Sequence, residues 1–200
     1  MPINLTRRHF AALGGMATLA LSLPGMARAM NVDEASALVS KLIGEINTVI
    51  SSGKSEAAMF KSFEAIFTRY ADVNYIALSA LGPAGRSASA GQKSAFTAAF
   101  KRYLSVKYGR RFREFIGGKI EVRDARPLKK FFEVVSTAKL SGQAPFEVRW
   151  HVFEKGGQRR FFNIIIEGVN MLAAERTEIG AMLDKAGGNI DKLIANLKSI

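Results

Sequence analysis

The sequence predicts an α+β fold: N-terminal helices packed on one twisted, mainly antiparallel sheet of about four to five strands, with closing C-terminal helices. Three observations lead there. From Asn31 to about Ile116, apolar residues recur every three or four positions, the period of helices. From Lys119 the period drops to two, and turn residues separate the runs, so that neighbouring strands pair antiparallel. Two further helical stretches then end the chain, and helices segregated from a meander in this way form two packed layers.

Each element has its own signal. Val32, Ala35, Leu38, Val39, Leu42, Ile46, Val49 and Ile50 mark one helical face behind Asn31 or Asp33 as N-cap. After Ser51-Ser52-Gly53, Phe60, Phe63, Phe67 and Tyr70 mark a second helix. A short third helix, Val73–Leu81, follows Asp72 and stops at Gly82-Pro83. The loop Gly85–Ala88 leads into Ser89-Ala90-Gly91-Gln92, which has the form of a capping box. A long helix carrying Phe96, Phe100, Tyr103, Leu104, Phe112 and Phe115 follows, with Gly109 as its candidate break.

The strands begin with Ile120 and Val122 alternating with Glu121 and Arg123. Phe132, Val134, Ser136, Ala138 and Leu140 then oppose Glu133, Thr137 and Lys139. Phe146, Val148, Trp150 and Val152 oppose Glu147, Arg149 and His151, which places His151 on the solvated side. Ser141-Gly142 and Lys155-Gly156-Gly157 supply turns. The last strand, Arg160–Val169, is almost wholly apolar, as a strand covered on both faces would be. Helices over about Leu172–Lys185 and Ile190–Lys198 flank Gly187-Gly188.

Residues 1–29 read as an export signal, leaving 30–200 as a single domain. Arg7 and Arg8 precede a modestly apolar stretch, Phe10 to Leu23, and Ala27-Arg28-Ala29 has the small-x-small form of a cleavage site. Thr6-Arg7-Arg8-His9-Phe10 carries the twin-arginine pattern of Tat signals. Pro24 and Gly25 end the apolar run short of the ~20 residues a membrane span needs.

Composition excludes several chemistries. Among 200 residues there is no cysteine, which removes disulfides, thiolate catalysis, Cys-ligated zinc and iron–sulfur clusters. The only histidines are His9, in the leader, and His151, so a multi-histidine metal site is impossible. No glycine loop of phosphate-cradling form follows a strand, and the one acidic pair, Asp33-Glu34, sits at a helix start where it favours the dipole. No catalytic residue, metal site or cofactor is expected.

Two features remain. Bulky groups on the long helix (Phe96, Phe100, Tyr103, Tyr108, Phe112 and Phe115) face a sheet carrying Phe132, Trp150, Phe162 and an isoleucine run. Together they can line an apolar pocket between helices and sheet. The second feature is charge. The chain carries +12, and the segment Lys101–Lys130 holds eleven basic residues against three acidic ones. A block so uneven suits an anionic partner, and an export signal argues against nucleic acid. A lipid carrier, a pocket enzyme and a basic interaction module with a filled core all fit these residues.

Three stretches narrow the choice. Ala80-Leu81-Gly82 is followed by Gln92, Phe96, Phe100, Tyr103-Leu104 and Tyr108-Gly109; Phe162–Met171 reads FNIIIEGVNM; Arg176 precedes a closing Gly188–Leu197 segment. In this order they resemble the toluene-tolerance/MlaC family of periplasmic phospholipid-binding proteins, auxiliary components of an ABC transporter. The sequence departs from that pattern at Pro83-Ala84-Gly85, Arg159, Asn163 and Asn170.

The resemblance implies a non-enzymatic periplasmic carrier in a Gram-negative bacterium. Such a carrier holds a phospholipid, or in some relatives a hopanoid. It passes lipid between an outer-membrane lipoprotein complex and an inner-membrane MCE-domain/ABC transporter complex, maintaining outer-membrane lipid asymmetry. Inward alternation and the aromatic helix face select Phe100, Tyr103, Leu104, Tyr108, Val134, Val148, Trp150, Ile164 and Ile166 as the pocket wall. Arg110, Arg111, Arg113, Lys119 and Arg123 are the candidate surface for headgroups or a partner protein.

Overall fold

The computed structural model describes residues 30–111, 118–140 and 142–200. Helices α1 (Val32–Ile50), α2 (Glu56–Tyr70), α3 (Val73–Leu81), α4 (Ala84–Ser87) and α5 (Ala90–Arg111) come first. Strands β1 (Lys119–Leu128), β2 (Phe131–Lys139), β3 (Phe146–Lys155), β4 (Gln158–Ile166) and β5 (Val169–Asn170) follow. Helices α6 (Met171–Lys185) and α7 (Ile190–Lys198) close the chain. The strands form one antiparallel meander in sequence order. Both the α+β class and the division into a helical and a strand half agree with the sequence reading. The leader, Phe112, Arg113, Phe115 and Gly117 lie outside the described residues.

Local chemistry accounts for the boundaries. Asn31, not Asp33, caps α1: its Oδ1 accepts from the Glu34 amide at 2.9 Å, and a Glu34 carboxylate oxygen accepts from the Asn31 amide at 2.9 Å. Ser89 and Gln92 make the same reciprocal pair before α5. Each cap is worth ~1 kcal/mol. Gly82 ends α3 at φ 61°, and a Cβ there would stand 3.2 Å from Nε of Arg176. The Leu81-Gly82 pair and Arg176 are thus two sides of one α3–α6 contact.

Four expectations need correction. The stretch expected to be a loop over Gly85–Ala88 is largely the short helix α4, because Pro83 at its N-terminus presets helical backbone. Gly109 does not break α5; a Cβ there would come within 2.5 Å of Phe60, so its role is close approach of α2 and α5. The Arg160–Val169 run is two strands. Glu167 (φ 49°) and Gly168 (φ 82°) form a left-handed two-residue turn, and β5 folds back on β4. Ile164, Ile165 and Ile166 are half-buried, since the sheet is not fully covered there.

The fourth correction concerns His151. Its side chain is only 13% exposed, held 3.3 Å from Glu133 and flanked by the rings of Phe131 (4.7 Å) and Phe162 (5.7 Å). A bulge between His151 and Val152 contributes to this cover, for it brings Phe162 against Phe131, Phe153 and Tyr75. Glu133 itself is 4% exposed and takes the Arg126 guanidinium, with Nε at 2.9 Å. Burial pushes the Glu133 carboxyl up, but Arg126 and His151 outweigh it and hold the pKa below the usual value.

On the opposite face α1 lies across β1 to β4, whereas α5 packs on α2, α3 and α7. The sheet and α5 are therefore separated by other elements, and this spacing sets up the site.

Candidate functional site

A cavity of about 350 Å³ lies between the sheet and the helices. Its floor is the inner face of the sheet: Val148 and Trp150 of β3 beside Ile164 and Ile166 of β4, which pair in register as Val148↔Ile166 and Trp150↔Ile164. Period-two alternation puts all four on one face. Leu42 and Ile46 of α1, Phe63, Ile66 and Phe67 of α2, and Leu104, Ser105 and Tyr108 of α5 form the helical wall. Met171, Leu172 and Glu175 of α6 complete it, with Ile120, Leu140 and Phe146 from the strand edges.

Buried hydrogen bonds hold the floor in place. Trp150 donates its Nε1–H to Oγ of Ser136 at 3.0 Å, and that hydroxyl donates to the Val148 carbonyl at 3.0 Å. Ser136 is fully buried, so the indole's polar edge is satisfied inside the core while its ring faces apolar space. Asn163, also buried, accepts from the amides of Ile164 (2.9 Å) and Leu172 (3.1 Å), tying β4 to the start of α6.

Of the residues expected in a pocket, Leu104, Tyr108, Val148, Trp150, Ile164 and Ile166 meet around this cavity. Phe100, Tyr103 and Val134 do not line it. Phe100 is fully buried, stacked on Phe96 at 5.5 Å with Tyr103 at 6.0 Å, on the face of α5 that belongs to the helix core. Val134 is fully buried on β2, where α1 covers the sheet. Leu104 and Tyr108, four residues apart, form a separate stripe of α5, and that offset decides which aromatics reach the space. The contributions of α1 and α2 were legible only as helix cores; three-dimensional packing alone distinguishes a lining Leu42 from a packed Val39.

A polar cluster where α5 meets α6, of which Tyr108 and Glu175 reach the wall, was missed altogether. Lys107 Nζ lies 2.8 Å from Oε1 of Glu175 and 2.5 Å from Oε2 of Glu178. The hydroxyls of Tyr108 and Tyr103 donate to Glu175 and Glu178, each at 2.5 Å. Burial pulls the Lys107 ammonium down, yet the two carboxylates win and raise its pKa. Burial and Glu178 together push the Tyr103 hydroxyl far up, so it stays a donor. Burial also raises Glu178, but Lys107 and Tyr103 bring it below the usual carboxylate value.

The basic segment is less free than its charge suggests. Lys119 (2.5 Å) and Arg123 (2.9 Å) both pair with Glu121, and Lys101 pairs with Glu64 at 3.2 Å. Arg110 is exposed at the end of α5; the Arg111 side chain and Arg113 lie outside the described residues.

A second, open cleft of about 1040 Å³ runs between α3, α5 and the β3–β4 hairpin. Its wall mixes short polar residues (Thr68, Ser79, Ser94, Thr97) with Val73, Tyr75, Leu78 and Phe153, and is flanked by Lys101, Lys155 and Arg160, so it lacks the dominantly apolar lining of the inner cavity. Among the described residues no group of His, Asp and Glu could hold a metal, and no helix is long and apolar enough to cross a membrane.

An open antiparallel sheet roofed by helices over a partly open, mainly apolar space defines a class: a cavity-bearing α+β domain. Residues 37–199 match the model of the MlaC protein family, and the chain belongs to that family. Its fold is similar to that of a phospholipid-binding protein from Ralstonia solanacearum, solved in complex with a phospholipid. The TM-score is 0.71 at 17% sequence identity, over 82% of this chain and 95% of the other.

Proposed function

We propose that this protein is a periplasmic phospholipid carrier. Residues 1–29 act as a cleaved twin-arginine leader, and the domain 30–200 holds acyl chains in the cavity between α5, α1, α2 and the sheet. The observation that carries the reading is the cavity itself, whose floor of Val148, Trp150, Ile164 and Ile166 is apolar. Membership of the MlaC family and likeness to a phospholipid-bound fold support it.

The protein is not an enzyme on this reading, because holding a lipid needs no bond-making group. Each buried methylene contributes ~0.8 kcal/mol, so an apolar enclosure alone retains a chain. At about 350 Å³ the cavity is near the lower end of the ~300–1,000 Å³ typical of small-molecule sites. Two long chains therefore require the helical wall to yield. A carrier without an energy source gives up its cargo only when a partner changes that wall. An inner-membrane MCE-domain/ABC transporter complex and an outer-membrane lipoprotein complex are the proposed partners, and exposed basic residues such as Arg110 and Lys119 the proposed surface for headgroups or for those partners.

The test is mass spectrometry of the mature protein purified from its native compartment without detergent, first native, then denatured and extracted. A stoichiometric phospholipid is expected. A hopanoid would rename the cargo, and a folded protein that stays empty and takes no lipid from anionic liposomes would end the carrier reading.

A further inference from the structure

His151 is the only histidine beyond residue 29, and the structure holds it between two partners of opposite demand. Toward β2, its Nε2 lies 3.3 Å from Oε2 of Glu133; toward β4, its Nδ1 lies 3.4 Å from Nδ2 of Asn163. The surrounding bonds fix which nitrogen carries the proton. Asn163 Oδ1 accepts from the amides of Ile164 and Leu172, so the side chain can turn only its NH2 group to the ring. Nδ1 is therefore an acceptor, and the proton of the neutral ring sits on Nε2, facing Glu133. Asn163, Ile164 and Leu172 all line the cavity, and Leu172 lies in the first turn of α6. One imidazole thus links the outer face of the sheet to the β4–α6 rim of the cavity.

A second proton on His151 would leave Nδ1–H pointing at the Asn163 NH2 group, donor against donor. The ring has little room to turn away, being 13% exposed and flanked by Phe131 and Phe162. Asn163 can restore that bond only by rotating its amide, which turns NH2 onto the two backbone N–H groups and gives up both bonds. We infer that His151 is a pH-sensitive latch on the cavity rim, closed while its ring is neutral and released when the ring is charged, so that lipid leaves faster on the acid side. This rests on the phospholipid-carrier reading and adds a regulation to it. The charged groups around the ring are Glu133 of β2, which favours the added proton, and Arg126 of β1, which pairs with Glu133. Arg149, two residues away on β3, pairs with Glu147. From β4 come Asn163 and Phe162, neither of them charged. An imidazole changes charge between about pH 5 and 8, a range in which Glu133, held below the usual carboxylate value by Arg126 and His151, stays ionised.

Two measurements test the latch. A single histidine gives one set of imidazole nitrogen signals in NMR of the mature protein, so its tautomer and titration are read directly. The neutral ring should carry its proton on Nε2. The Leu172 amide, corrected for intrinsic exchange, should lose protection against hydrogen exchange as the ring charges. A neutral ring protonated on Nδ1, or a Leu172 amide indifferent to the titration, overturns the inference.

The second measurement follows the cargo. Protein loaded with deuterated phosphatidylethanolamine is mixed with excess unlabelled phosphatidylethanolamine/phosphatidylglycerol vesicles, and the label left on the re-isolated protein is measured by mass spectrometry. Loss at about pH 5.5 should be on the order of fivefold faster than at about pH 7.5, the contribution of one backbone hydrogen bond. His151→Gln, whose uncharged amide can accept from Asn163 and donate to Glu133, should release label at the slow rate at both. Asn163→Asp keeps an acceptor for the two backbone amides and offers its other oxygen to the charged ring, so acid should no longer speed release. If the glutamine variant misfolds, the aspartate variant carries the comparison. Equal wild-type rates at the two pH values, or an acid acceleration that persists in both variants, overturns the inference and leaves the carrier reading intact. Folded protein that takes up no label ends the carrier reading and the gating role with it.

Discussion

Acyl-chain length is the variable that most directly interrogates the cavity. Each methylene moved from water into it should tighten binding by ~0.8 kcal/mol, roughly fourfold in Kd. The gain should stop when the space is full. Taking the ~30 Å³ share of a water molecule as that of a methylene, a cavity of about 350 Å³ holds about a dozen of them. A series of single-chain lysophospholipids from eight to sixteen carbons, titrated by Trp150 emission below their micellar concentrations, should therefore steepen regularly and break near twelve. Val148→Phe projects a ring from β3 into the same space, and should move the break down by about four carbons, the difference between the two side chains. A flat dependence would refute the reasoning, and so would a break left in place by Val148→Phe in a protein whose thermal unfolding matches the wild type.

Two further outcomes follow from the packing around that space. Ser136→Ala removes the acceptor of the buried Trp150 Nε1–H and should cost ~1–3 kcal/mol, read as a lowered denaturant midpoint at unchanged m; an unchanged midpoint would mean that the indole finds another partner. Glu133 has a folded-state pKa below its unfolded one, so its stabilisation is present above the ordinary carboxylate range and is lost as pH falls through the lowered value. Thermal melts from pH 6 down to pH 2 should accordingly show a smaller acid-side decline for Glu133→Gln than for the wild type, and parallel declines would assign that slope to other carboxylates.

The sequence made the frame of this fold readable where local chemistry and period agree. Asn31 with Glu34, Asp72 before α3, and Gly156-Gly157 in the β3–β4 turn each set a boundary through groups a few residues apart. It failed where a boundary depends on an unusual residue. Glu167 occupies a left-handed turn position that glycine, asparagine or aspartate would have announced, so two strands looked like one. Lys129-Lys130 joins β1 to β2 without any turn residue, and Pro127 is tolerated inside β1 because that strand is an edge.

The site divides along a similar line, and the division has a physical cause. On a strand, period two leaves each residue one of two faces, so alternation gave the face of Val148 and Trp150, but it did not separate them from Val134, which is packed on that face without lining the cavity. On α5 nearly every side is occupied: Phe96, Phe100 and Tyr103 go to the helix core, Leu104 and Tyr108 to the cavity, and Lys107 to Glu175 and Glu178. A helix buried on most of its circumference has no single apolar stripe to read, and a lysine at its centre looks like solvated charge until α6 is placed beside it. The basic segment was misleading for the same reason. Lys101, Lys107, Lys119, Arg123 and Arg126 each meet a carboxylate from elsewhere in the fold or a neighbouring strand position, so much of the apparent cationic face is internal neutralisation. What selectivity the cavity has must then come less from that charge than from its own wall. The buried carboxylate of Glu175, held between α5 and α6 by Lys107 and Tyr108, is a feature that no period and no composition could have signalled.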